Sequence, residues 1–216
     1  MSFSPRFAAA LLALPLSVFA ADTASWTNWV DAHHGSLTQN GSTIDVGYTG
    51  TVFTLDHGAY FYDVPSSFTS ATITNTPGTN GTLVMYGGDA SIHTFTFSQA
   101  VINPVIALYS VGQPGVPVRF IFDTSSFSIT SATANGHWGG GSLTQVGNTV
   151  TGVEGNGLLQ FTGSYTSISF TTPDYEYHYG GTVGTPLAAV PEPEAAGMAL
   201  AGLIVAGAWL RRRTQA

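Results

Sequence analysis

The feature that most constrains this chain is a run of short segments in which apolar and polar residues alternate, each closed off by Gly, Asn, Asp or Pro. Ile44-Asp45-Val46-Gly47-Tyr48 alternates, as does 51–55. Ile92 to Phe97 puts His93, Phe95 and Phe97 on one face and Ile92, Thr94 and Thr96 on the other. A period of two, carried by Val, Ile, Thr, Phe and Tyr, is a strand signal. Val101 to Tyr109 is more continuously apolar and reads as a central strand entered through Asn103-Pro104. Further strands are expected at 118–122, 158–161, 168–171 and 175–183. Asn-Gly pairs at 40–41, 80–81, 135–136 and 156–157 supply the positive φ that tight hairpins need.

About ten such strands predict an all-β domain, an antiparallel β-sandwich of jelly-roll-like type. No repeat of 20–50 residues is evident, which disfavours a propeller or solenoid. One short helical turn is expected at 26–32, where Trp26, Trp29 and Val30 would share a face.

Charge narrows the partners. The chain has no lysine and no cysteine. Between Ala21 and Val190 ten carboxylates stand against the single cation Arg119, a formal balance of −9 with histidine neutral. A surface of that sign repels phosphate backbones, so nucleic acid is not an expected partner. Without cysteine there are no disulfides, thiolate metal sites or thiol nucleophiles, and the core alone must hold the fold.

The two ends carry a different pattern. Arg6 followed by an apolar stretch from Phe7 to Phe19, with short side chains at Val18 and Ala20, reads as a signal peptide over 1–20 cut between Ala20 and Ala21. The sandwich is expected over 21–183. A small-residue stretch from Thr182 to Ala189 contains Pro186, and the linker is placed at 184–189. Val190-Pro191-Glu192-Pro193 then precedes an uncharged run from Ala195 to Leu210, and Arg211-Arg212-Arg213 closes it. As a helix the run would rise about 24 Å, slightly short of a hydrocarbon core of roughly 30 Å. Trp209 can sit at the interface, and the arginines would stay on the cytoplasmic side. Pro191 and Pro193 keep the box extended, a form a protease cleft accepts.

Box, span and arginine cluster together resemble the PEP-CTERM sorting domain of Gram-negative bacteria, over 190–216. The resemblance implies a single transmembrane helix that holds the chain transiently in the inner membrane through 195–210. It also implies processing by an exosortase, with signal peptidase acting at the other end, and delivery to the cell envelope or an exopolysaccharide matrix. Val190, Pro191, Glu192 and Pro193 would then be recognition residues for another protein's active site. Within the body, 95–104 and 153–157, followed by Phe161-Thr162-Gly163 and Ile168-Ser169-Phe170, resemble phrases of exported β-sandwich domains that carry this tail.

Candidate sites inside the body are few. His33-His34, His57, His93, His137 and His178 lack metal-binding spacing. No Gly-x-Ser-x-Gly elbow is present, so no catalytic residue is assigned. Glu154-Gly155-Asn156-Gly157 is the segment best suited to a structural calcium, through Glu154 and Asn156. No other cofactor is expected. Trp138, Tyr175 and Tyr177 are the candidate sugar contacts, because exposed rings offer apolar area at little ordering cost. The expected function is that of a non-enzymatic surface or matrix protein. The alternatives are a carbohydrate-binding module with a defined sugar site and a secreted hydrolase. A hydrolase would require two carboxylates facing across an open cleft.

Overall fold

The structure, a computed structural model, describes residues 23–57, 65–133, 141–176 and 178–187. Fifteen strands and one short helix are described. The strands are β1 (Thr23–Trp26), β2 (Asn28–Trp29), β3 (His34–Gln39), β4 (Ser42–Thr49), β5 (Val52–Asp56), β6 (Thr82–Met85), β7 (Ile92–Ile102) and β8 (Val105–Val111). They continue as β9 (Val118–Phe122), β10 (Phe127–Thr133), β11 (Gly141–Val146), β12 (Thr149–Gly152), β13 (Gly155–Phe161), β14 (Ser164–Thr171) and β15 (Tyr179–Leu187). The helix, α1, is the single turn Pro65–Phe68.

The ladders form two layers joined through β11. One runs β5-β6-β15-β8-β13-β10, with β1 on the C-terminal half of β15. The other runs β2-β3-β4-β7-β14-β9-β12-β11. All described pairings are antiparallel except one. Gly141 and Ser142 of β11 run parallel to Gly155 and Asn156 of β13 before β11 turns to pair with β12.

The alternation seen in the sequence sorts side chains between the layers. In β7, His93, Phe95 and Phe97 are buried and Ile92 and Thr96 are exposed. They meet Ile106 and Leu108 of β8, Leu159 and Phe161 of β13, and Phe120, Phe122, Ile168 and Phe170 in one core. Phe122 sits edge-on to Phe127 and Phe161, at centroid distances of 4.9 and 5.4 Å, as aromatic quadrupoles prefer. The continuous apolar run of β8 has a separate cause: it is covered on both sides. Val105, Ala107 and Tyr109 pack with Trp26, Phe68, Ile73 and Leu158 in a second cluster beneath α1.

Three local expectations are corrected. The segment 26–32 is not helical. Trp26 and Trp29 belong to different clusters, one on each side of a layer, and no single helix face could serve both. The chain does not leave the sheet at 184. β15 continues to Leu187, because Thr23–Trp26 of β1 pairs with Gly184–Leu187. Asn156-Gly157 is not a turn. Both residues lie within β13, and the corner before it is made by Glu154 at φ 57°. Asn40-Gly41 does close the β3–β4 hairpin, with φ of 52° and 77°.

The signal segment 1–20 with the Ala20–Ala21 bond, the box 190–193, the run 195–210, Arg211 to Arg213, Trp138 and Tyr177 lie outside the described residues. Among the described residues no helix is long and apolar enough to cross a membrane.

Candidate functional site

One end of the layers gathers the acids that the sequence leaves scattered. Near the end of β8 Ser110 stands at φ 54°, and the strand continues through Val111 into Gly112 at φ 87°, opposite the corner formed by Gly152 and Glu154. The two backbones touch there. A Cβ on Gly112 would lie 2.3 Å from the Gly152 carbonyl oxygen, and one on Gly152 would lie 2.4 Å from that of Val111. Only glycine fits at both positions.

Side chains then tie the corner. The Asn156 Oδ1 accepts from the Ser110 N–H at 3.0 Å. The Glu176 Oε2, carried in by the 172–178 segment, accepts from the Gly112 N–H at 2.7 Å. The Glu154 carboxylate takes a hydrogen bond from Ser110, and its backbone carbonyl accepts from the Gly141 N–H at 3.1 Å. Two positive-φ residues with side chains, Ser110 and Glu154, are thus held in contact. Strain of this kind persists only where the surroundings over-determine it.

The electrostatics are those of a buried acid, Glu176, beside a half-buried one, Glu154. Burial pushes the Glu176 carboxyl up to about 7; the Gly112 N–H opposes the shift and the charge of Glu154 adds to it. Glu154 is also raised, first by burial, with its bond to Ser110 acting against. Asn156 is buried, and its Nδ2 has no hydrogen-bond partner among the described residues. An unpaired buried donor costs about 1–3 kcal/mol.

A carboxyl that titrates near neutrality suits general acid–base work. Glu176, however, is only 3% exposed and one of its oxygens is held by backbone. This geometry makes it a clamp on the end of β8. Asn156 Oδ1 and Glu176 Oε2 each accept one backbone N–H, so a calcium ion near Glu154 and Asn156 would share these oxygens with the donors. Among the described residues no three His, Asp or Glu side chains converge as metal ligands.

Compared with family profiles, curated proteins and solved structures, the chain has no match. The residues must speak for themselves.

Tyr175 is 71% exposed beside buried Glu176, and its backbone packs on Gly88. Trp26 and Trp29 are buried and donate to the Asn75 carbonyl at 3.2 Å and to the Thr182 hydroxyl at 2.9 Å. His93 is a core residue between the Tyr48 hydroxyl at 2.6 Å and the Thr172 hydroxyl at 3.2 Å, stacked on Phe170. Burial lowers its pKa. Asp31 accepts from the His33 and His34 backbone N–H groups, so the histidine doublet belongs to an Asx turn.

The structure therefore brings Glu154 and Asn156 together with Glu176, which sequence reasoning passed over. The one available signal was an acid placed between Tyr175 and Tyr177 in an aromatic run.

Proposed function

We propose that the chain is an exported, envelope-sorted, non-enzymatic β-sandwich that works at the cell surface or in an exopolysaccharide matrix. The observation that carries this reading is the ordered tail: Val190-Pro191-Glu192-Pro193, the uncharged run to Leu210, then three arginines. Its place behind a body that opens with a signal-like segment supports export followed by anchoring. The jelly-roll reading is supported by strand order. β6, β15, β8 and β13 are neighbours in one layer and β7, β14, β9 and β12 in the other, so most successive strands alternate between layers.

The non-enzymatic part is supported by the acid pair. Glu176 is buried and clamped, so the Glu154–Glu176 pair does not offer the two open carboxylates that a glycosidase needs. The second reading is a carbohydrate-binding module. The exposed ring of Tyr175 favours it.

The test is fractionation of cells expressing the chain with an epitope in an exposed loop of the body. The expected product lacks the first twenty residues and reaches the envelope or the medium. Replacing Pro191, Glu192 and Pro193 by alanine should hold the chain in the inner membrane with its tail attached. A cytosolic protein that keeps residues 1–20 would overturn the proposal.

A further inference from the structure

We propose that the notch over Gly47, on the outer face of the β3-β4-β7 ladder, is a binding site for a neutral sugar ring. Gly47 stands in the middle of β4, between His34 of β3 and Thr96 of β7. A glycine inside a strand weakens it and often marks a place where a ligand or another backbone approaches closely. At Gly47 the conformational reason is absent and the packing reason is confined to one neighbour. Its φ is not positive. The atom a Cβ would crowd, at 2.5 Å, is the Thr96 hydroxyl oxygen, the end of a rotatable side chain; the next is 3.9 Å away. Gly35 differs, because a Cβ there would strike Thr27, the Asn28 carbonyl and the Trp29 ring. Packing closes Gly35 on three sides and leaves Gly47 open except toward Thr96.

The missing side chain opens a groove of about 510 Å³ that His34, Asp45, Thr96 and Ser98 line. That volume falls within the range of small-molecule sites. Its polar groups are of complementary kinds. Asp45 is exposed and its carboxylate only accepts. Ser98 Oγ accepts from the Asp45 N–H at 2.9 Å, which leaves its proton for a ligand. Thr96 offers a hydroxyl that can donate or accept. The His34 Nδ1 lies 3.0 Å from the Asp31 carboxylate, so the ring is oriented by a second residue and its Nε2 remains for a ligand.

Adjacent hydroxyls on a pyranose donate to a carboxylate and an imidazole nitrogen while accepting from hydroxyls, and the flat ring fits above a backbone without side chain. Anionic sugars are disfavoured by Asp45, by Asp31 behind His34, and by the acidic body as a whole. The inference deepens the surface reading and rests on it for where sugar polymers would be met. Tyr175 belongs to a different part of the molecule, against Gly88.

The test is amide-resolved NMR of the full-length protein in a detergent without a sugar headgroup. It would be titrated with the methyl glycosides of glucose, galactose and mannose, and separately with polygalacturonate. At least one neutral glycoside should shift His34, Gly47 and Thr96, and polygalacturonate should not. Asp45→Ala and Thr96→Val alter exposed positions and should each raise the half-saturating concentration by at least about tenfold, as loss of a hydrogen bond to a charged or oriented group predicts. Silence with all three glycosides in a protein of native spectrum would overturn the proposal. So would equal shifts in both variants, or equal binding of polygalacturonate. A cytosolic chain that still binds the glycoside would refute the surface reading alone, and a surface-located chain with a silent notch would refute the notch alone.

Discussion

Glu176 and Gly112 are joined by a 2.7 Å hydrogen bond from the Gly112 backbone N–H to the Glu176 carboxylate, so an acid on the last loop fastens the end of β8. Burial raises this carboxyl from 4.5 to about 7. Below the lower value both folded and unfolded chains carry the proton and the group is neutral in its effect. Between the two values the unfolded chain ionises first, and stability falls as pH rises. Above about 7 the loss is complete, at most roughly 3 kcal/mol. His93, whose pKa is lowered by burial, acts in the opposite sense as pH rises toward 6.5. The difference between the wild type and Glu176→Gln isolates the carboxyl. Urea unfolding should show the variant gaining on the wild type from about pH 5 to about pH 8, since the Gln carbonyl still accepts from Gly112.

Arg119 and Asp174 make a two-point pair, Nε to Oδ2 and Nη2 to Oδ1, both at 2.8 Å. Asp174 Oδ2 also accepts from the Arg119 backbone N–H at 2.9 Å. The loss should therefore be unequal. Arg119→Ala should lower stability only slightly, because the pair is exposed to solvent. Asp174→Ala should cost more, because it also removes the acceptor of the Arg119 backbone N–H. The hydrogen bonds from Arg119 hold Asp174 below the ordinary carboxylate range, so its contribution is present above 3.8 and vanishes as pH falls through its folded value. Chemical denaturation of both variants across acid pH checks the order.

Gly180 is the least replaceable residue of β15. A Cβ there would lie 2.1 Å from the Tyr109 ring, which is itself buried. Gly180→Ala should cost about 3 kcal/mol through overpacking. Gly41→Ala meets no atom within 4 Å but must hold φ at 77°, and should cost only about 1 kcal/mol. The urea midpoints of the two variants test the contrast.

Calcium removal should leave the fold unchanged, because among the described residues no three His, Asp or Glu side chains converge as ligands. An ion bound at 100 times its dissociation constant would add about 2.7 kcal/mol. A melting temperature that drops by several degrees on adding EDTA and recovers with calcium would show an ion site elsewhere.

Much of the fold is legible along the chain, since burial follows alternation wherever a strand has one wet face, as β7 does. Legibility fails where both faces are covered or where small residues do the packing. The end of β15, from Gly184 on, reads as a linker because its residues are small and carry no apolar pattern. Gly184 is small because the Trp26 ring presses against it, as Tyr109 and Leu108 press against Gly180 and Gly181 in the part that reads as a strand. The acid corner is harder still. Glu176 and Gly112 are 64 residues apart, and only the ladder that sets 155–160 against 105–111 carries Glu154 and Asn156 to Ser110. The Gly47 notch depends in the same way on register, which places His34 and Thr96 on either side of a missing side chain.

The seating of β15 has a mechanical consequence. Tyr179–Gly181 is hydrogen-bonded to β6, Gly180–Gly184 to β8 and Gly184–Leu187 to β1. A pull on the chain beyond Leu187 runs along this strand and loads several ladders in shear, so many bonds must yield together. A tether at that end would grip the domain by its middle, where drag from flowing water is least able to peel it apart.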